Sequence, residues 1–432
     1  MLAVVLAGIT YVDRVCIAQA APHIQNDLGL TAVELGMAFS AFALAYALFE
    51  IPGGWLGDRI GPRKVLMRIV VAWSTFTAAT GYAWNAMSLM VLRFLFGAGE
   101  AGCFPNLTRA FMNWLPVEER TRAQAIMWLS ARWAGALTPL MVIWVMTWLS
   151  WRNTFVVFGL LGVVWAVWFH RVFRDRPREH PRVNAAELAL IEAGRPTVPA
   201  MAPVPWRRLL GSRSLWLLWI QYFCLAYGWM FYVTWLPTYL RETLGVDLKQ
   251  NIHMENLTRA LATWMSPETV QKVVMAVFAG VPLFVGGLGC LAAGLIAARL
   301  ARRLRGVAIA RRLLAQVGFT GAAVLLVGSF HVTDPMVAIL MMGLASFCND
   351  LTMPLSWSTC MDLGGRFAGT VSGGMNMMSA FGGAASPLVI GFLLDSTGRD
   401  WALTFWISGA VYLAGGLCWW WMDPVQPLCD ER

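Results

Sequence analysis

Gly54-Trp55-Leu56-Gly57-Asp58-Arg59-Ile60-Gly61-Pro62-Arg63-Lys64 joins two apolar runs near the start of the chain. The pattern is G-x-x-x-D-R-x-G-x-R-K, and each fixed position has a physical use. Its glycines permit close helix approach and a tight turn. Asp58 can cap a neighbouring helix N-terminus while Arg59, Arg63 and Lys64 hold one side of a membrane. A loop that merely carried positive charge would not require an aspartate at that spacing.

The rest of the chain is written for a bilayer. Of its 432 residues, 58% are hydrophobic and only 13% charged, against about 25% charged in average globular proteins. Apolar runs of about 20 residues, long enough to cross roughly 30 Å of hydrocarbon as helices, recur almost end to end. They predict twelve spans, at about residues 1–21, 32–51, 66–84, 88–112, 123–149, 154–169, 215–240, 273–298, 313–330, 336–360, 370–394 and 401–422. Alternating strand patterns are absent, which argues against a β-barrel. The 23 tryptophans suit interfacial anchoring as well as packing. The eight cysteines are scattered without a C-x-x-C pair, and none of the five histidines forms a paired motif. Neither a disulfide framework nor a metal site is indicated.

The net charge of +9 follows topology rather than a nucleic-acid partner. One side collects the basic residues of the opening motif, Arg109, Arg120, Arg122, nine arginines from Arg171 to Arg213, the cluster from Arg299 to Arg312, Arg366 and Arg432. The other side holds only Arg152, Arg241, Lys249, Arg259, Lys272 and Arg399. The positive-inside rule places the rich side, with both termini, in the cytoplasm. No basic leader precedes the first span and its apolar stretch contains Asp13 and Arg14, so a cleavable signal peptide is a poor reading. Either a few residues precede Met1 in the gene or later loops set the orientation.

The expected organisation is an N-terminal six-helix bundle over 1–170, a cytoplasmic linker over 171–213, a C-terminal six-helix bundle over 214–423 and a cytoplasmic tail over 424–432. Within the linker, 185–193 reads as a short surface helix, and 254–265, in an external loop of about thirty residues, as an amphipathic one. An internal repeat supports two halves. Gly135-Ala-Leu-Thr-Pro139-Leu before Trp151-x-x-Thr154-Phe155 parallels Gly383-Ala-Ala-Ser-Pro387-Leu before Trp401-x-x-Thr404-Phe405, at an offset of 248 to 250. Pro105 and Pro354 keep a similar offset, and Gly294, Arg299 and Arg303 form a degenerate echo of the loop motif.

Six ionisable residues fall at probable mid-membrane depth: Asp13, Arg14, Arg93, Glu100, Arg132 and Asp350. Charges there are expensive unless they face a cavity or a partner. Arg93 and Glu100, seven apart, share one helix face about 10 Å apart. With the three acids ionised the set is near neutral; with Asp13 and Glu100 protonated it carries excess positive charge and attracts an anion. Protonation and anion binding would then favour each other, which is the thermodynamic content of symport.

The loop motif resembles that of the major facilitator superfamily. Tyr11-Val-Asp13-Arg14, Arg93-Phe-Leu-Phe-Gly-Ala-Gly-Glu100 with Phe104-Pro105, Trp235-Leu-Pro237-Thr-Tyr-Leu240 and Gly373-Gly-Met-Asn376 together resemble its anion:cation symporter family. Within that family the likeness is to bacterial sugar-acid transporters of the galactonate, glucarate and hexuronate type, over essentially the whole chain. The resemblance implies the all-α fold of two pseudo-symmetric six-helix bundles. It also implies proton-coupled uptake of a small organic anion, a sugar acid or related carboxylate, by alternating access in a bacterial-type inner membrane. Arg14 would contact the substrate carboxylate, and Asp13 and Glu100 would be the protonation sites. Arg93 would pair with Glu100 or organise the site, and Tyr11, Tyr46 and Asn376 would hydrogen-bond substrate hydroxyls. Arginine suits a carboxylate because its planar fork can bond both oxygens.

Some positions depart from that pattern. Ala131 stands where a galactonate-type site has a polar side chain, and Arg132 and Asp350 are additional charges. Arg132 could bind a second carboxylate, pair with Asp350 or brace helices. An organophosphate antiporter or a di- or tricarboxylate carrier of the same fold is the alternative function, although span seven lacks the arginine that such an antiporter would carry. No cofactor is expected beyond the coupling proton, no enzyme activity and no nucleic-acid partner; the bilayer and the small anion are the partners of a chain working as a monomer.

Overall fold

A computed structural model describes residues 1–192, 204–242 and 267–428 of the chain. Every regular element among them is helical. In order these are α1 (Leu2–Leu28), α2 (Ala32–Ile60), α3 (Pro62–Thr80), α4 (Ala86–Glu100), α5 (Cys103–Trp114), α6 (Val117–Met146), α7 (Trp151–Val172) and the short α8 (Ala185–Glu192) and α9 (Trp206–Leu210). Then come α10 (Arg213–Thr234), α11 (Leu236–Glu242), α12 (Pro267–Arg303), α13 (Val307–Phe330), α14 (Pro335–Gly364), α15 (Ala368–Ser396) and α16 (Ala402–Trp421).

Ten stretches among the described residues are long and apolar enough to cross a membrane. One of them, Pro335–Ser396, is two helices joined by a short turn at 365–367, and the less apolar α3 packs beside α7 as a further one. That brings the bundle to the twelve spans expected. The helices overrun the apolar runs by a few residues at each end, because local capping sets helix ends while hydropathy sets only the part in hydrocarbon. Thr31 and Glu34 close a reciprocal box at the start of α2, and Asp334 accepts from the Met336 and Val337 N–H groups at the start of α14.

Two expected spans are discontinuous. The fourth breaks at Ala101–Gly102, leaving Glu100 as the last residue of α4, and the seventh breaks at Trp235 between α10 and α11. The surface helix expected near 185 is α8. The amphipathic helix expected at 254–265, with Lys249, Arg259 and Arg432, lies outside the described residues.

The repeat has a structural counterpart. Pro139 lies inside α6 and Pro387 inside α15, while Trp151 opens α7 and Trp401 caps α16. The halves meet chiefly where α2 packs on α15 and α6 on α12. The loop motif sits at one end of this seam. Gly61 turns at φ 93°, and a Cβ at Gly54 would strike the Gly369 carbonyl, so both glycines are required where the sequence placed them. The Asp58 carboxylate accepts from the N–H groups of Gly369 (2.9 Å) and Thr370 (2.6 Å) and from the Thr370 hydroxyl (2.7 Å). The expected cap therefore exists, and the helix it caps is α15, in the opposite half.

More contacts close the same end. Arg109 donates to the Gly365 carbonyl at 3.3 Å and lies 3.6 Å from Asp58, and Thr121 donates to Ser358 at 3.0 Å. Asp362 is shared between Arg120 of α6 and Arg311 of α13. The Arg59 guanidinium lies over the Trp55 ring, and Arg63 holds the end of α7 by donating through Nη2 to the His170 carbonyl at 2.6 Å and through its backbone N–H to Asp175, just beyond the helix, at 2.8 Å. Burial pushes the Asp175 carboxyl above its ordinary range.

Candidate functional site

Above the closed end lies a cavity of about 270 Å³ between the halves. Tyr11 and Arg14 of α1, Tyr46 of α2, Arg132 of α6 and Asn376 of α15 line it, with Phe104, Trp128, Tyr222 and Trp229 as aromatic walls. Its floor is a hydrogen-bonded layer in which Asn376 donates through Nδ2 to the Tyr46 hydroxyl and to Glu50 Oε1, both at 2.8 Å. Residues 368–376 of α15 are buried, whereas Ala43 and Ala384, which also line the cavity on the side away from the motif, are exposed. The cavity is therefore closed off by buried backbone towards the motif end.

Arg14 is the more exposed of the two arginines that line this space. Its guanidinium lies 4.3 Å from the centroid of the Tyr46 ring, and its Nε donates to Glu100 Oε1 at 2.5 Å. Glu100 can reach it because α4 ends there: the break after residue 100 leaves the side chain at the inner surface of the bundle. Arg14 Nη2 and Glu100 Oε2 are buried without a partner. The pairing offered for Arg93 with Glu100 is thus corrected. The two share a face as the spacing required, but Glu100 bonds across to α1, and no ion pair among the described residues reaches Arg93. Arg93 lies over the rings of Phe42 (4.9 Å) and Phe96 (4.5 Å), with its Nε buried and unpartnered.

Asp13 and Arg14, adjacent in sequence, point to different places. The Asp13 side chain is buried inside the N-terminal half with neither oxygen hydrogen-bonded, and Trp73, Arg93 and Glu100 are its polar neighbours. Arg93 and Asp13 therefore lie behind the cavity wall, one layer from the space that Arg14 lines.

Arg132 binds Asp350 with both edges of the fork, Nε to Oδ2 at 2.7 Å and Nη2 to Oδ1 at 2.8 Å. Of the three possibilities open for Arg132, the pair with Asp350 is formed, and it ties α6 to α14 across the seam. The guanidinium also lies 4.3 Å from the Trp229 ring centroid.

Sequence reasoning missed Glu50. It is fully buried on the cavity floor, with Oε2 unpartnered, and makes a fourth acid among the ionisable residues of this region. With every acid ionised the set is therefore one charge more negative than the near-neutral inventory. The available signal was Tyr46 and Glu50 at i and i+4, the spacing that puts both on one face of α2. Arg109 and Asp362 were missed as parts of the seam for a different reason, since only long-range packing brings them to their partners.

The sequence profile described as Major Facilitator Superfamily matches residues 3–387. The chain is 38% identical to the probable sulfoacetate transporter SauU of Cupriavidus necator over 96% of this chain and 91% of that protein. It is 32% identical to the D-galactonate transporter of Escherichia coli over 95% and 91%, and 28% identical to the hexuronate transporter of Bacillus subtilis over 95% and 90%. The solved structure of the proton:xylose symporter XylE bound to 6-bromo-6-deoxy-D-glucose superposes with a TM-score of 0.69, covering 97% of this chain and 94% of that one at 12% identity, which establishes a shared fold.

Proposed function

Because the chain belongs to the major facilitator superfamily and is a membrane-spanning transporter related to sugar-acid and other anion carriers, we propose that it takes up a small organic anion by proton symport. The observation that carries this reading is the Arg14–Glu100 pair at the cavity wall. An ionised Glu100 competes with an incoming anion for the same guanidinium. Protonation of Glu100 removes that competitor and leaves Arg14 to the substrate, so proton and anion each strengthen the binding of the other. Asp13, buried beside Glu100 and Arg93, is the second proton site, and Arg93 organises the two.

The named substrates of the relatives, sulfoacetate, D-galactonate and hexuronate, are all organic anions and support this class. Alternating access follows from the closed motif end: separating Asp58 from Gly369 and Thr370 would open the cavity on that side while the opposite side closes. The basic clusters support a cytoplasmic assignment for the motif end, near which Leu428 donates to the Leu363 carbonyl, in a bacterial inner membrane. The carrier works as a single chain with no cofactor other than the proton.

Uptake into proteoliposomes under an imposed inward proton gradient tests the reading, with labelled sugar acids, dicarboxylates and glycerol phosphate. Accumulation of an organic anion that collapses when the gradient is dissipated is the expected result. Movement of phosphate esters alone, or accumulation indifferent to the gradient, contradicts it.

A further inference from the structure

We propose that the cavity selects a compact dianion, one acidic group on Arg14 and the other on Arg132; this rests on the reading of the cavity as the substrate site. Both arginines line the same space from the packed helices α1 and α6. Each is braced by a buried carboxylate that leaves part of the fork over. Glu100 takes Nε of Arg14, whose Nη2 has no partner. Asp350 takes Nε and Nη2 of Arg132, so that Nη1 stands outside the pair.

The neutral groups of the lining point the same way. The side chains of Trp128 and Trp229 line the space, and their buried indole N–H groups have no acceptor among the described residues. Buried donors without partners are rare, and a ligand rich in acceptor oxygens satisfies them. The amide N–H groups that could donate to hydroxyls are already engaged. Asn376 donates to Tyr46 and Glu50, and Asn349 donates to Asp350 at 2.9 Å while accepting from Tyr412 at 3.0 Å. A lining with two cations and amide donors already taken suits carboxylate or sulfonate groups at both ends of a short carbon chain better than a polyhydroxylated monoacid. The volume of about 270 Å³ sets the scale as small.

The test measures binding to the purified full chain, and uptake in proteoliposomes, for malonate, succinate and 3-sulfopropionate against butyrate and gluconate. Charge-assisted pairs are worth enough that at least one diacid should bind about 10- to 100-fold more tightly than either monoacid. Arg132→Gln alone would strand Asp350, so the variant is the double change Arg132→Gln with Asp350→Asn, which keeps a neutral hydrogen-bonding pair. It should lose the diacid preference, the ratio of diacid to monoacid affinity falling by about tenfold or more. Gluconate or butyrate matching every diacid in the wild type, or a preference that survives in the double variant, overturns the assignment to Arg132 while leaving the anion carrier standing. If no organic anion binds or moves, the reading of the cavity as an anion site fails, and this proposal with it.

Discussion

Two arginine–carboxylate pairs border one cavity, and they are built differently. Arg14 meets Glu100 through a single nitrogen, within one half of the molecule, and its side chain keeps 21% of its surface exposed. Arg132 meets Asp350 through two nitrogens, across the seam, at 4% exposure. A one-point contact at the cavity surface can be exchanged for a ligand. A two-point contact sealed between helices resists exchange and fixes distance. The same residue types thus serve as a switch in one place and a brace in the other.

The sharpest way to break that contrast is to neutralise each acid separately. Glu100→Gln should abolish proton-driven accumulation, a loss of up to about 100-fold given coupling energies of up to about 3 kcal/mol, while anion exchange between equilibrated compartments continues. Asp350→Asn should act on stability instead. It leaves the Arg132 cation buried without its partner, which costs about 3–5 kcal/mol, and thermal unfolding in detergent should fall accordingly. If the two variants exchange signatures, the assignment of switch and brace is reversed.

Asp58→Ala removes the cap that α2 places on α15 across the seam. Loss of such a cap costs about 0.5–2 kcal/mol, enough to populate opening at the motif end, so a cysteine introduced at Ser358 should label faster with a membrane-impermeant maleimide applied from that side. Unchanged labelling would mean that Arg120, Arg311 and Asp362 hold the end without it. Glu50→Gln is expected to have the smallest effect, because a glutamine oxygen can still accept from Asn376; affinity should change by about tenfold or less, as for a neutral hydrogen bond of roughly 0.5–1.5 kcal/mol. A loss of accumulation as deep as that of Glu100→Gln would move the proton site to Glu50.

Much of this was legible in the chain, for reasons that differ by residue. The spacing from Gly54 to Lys64 announced both the turn at Gly61 and a cap by Asp58, because those needs are local. It could not name Gly369 and Thr370, more than 300 positions away, since only the packing of α2 on α15 supplies them. Hydropathy windows found every span but are blind to a single left-handed residue, so the break after Glu100 was invisible, and the partner of Glu100 is on α1, which the spacing within α4 could not name. Glu50 escaped because it stands next to Pro52 and Gly53, where an acid reads as the end of a span rather than as the cavity floor. Arg132 and Asp350 were both recognised as charges needing a reason, and the pair between them is a property of the seam that neither sequence neighbourhood contains.

The most direct measurement is the affinity of the purified protein for its transported anion, by isothermal titration on either side of neutrality, in the wild type and in Glu100→Gln. If Glu100 is the switch on Arg14, wild-type affinity rises as pH falls, because the proton removes the competing carboxylate, and the variant binds with the tight low-pH affinity at both pH values. A pH dependence that persists unchanged in Glu100→Gln would contradict the assignment and place the coupling proton on another carboxylate.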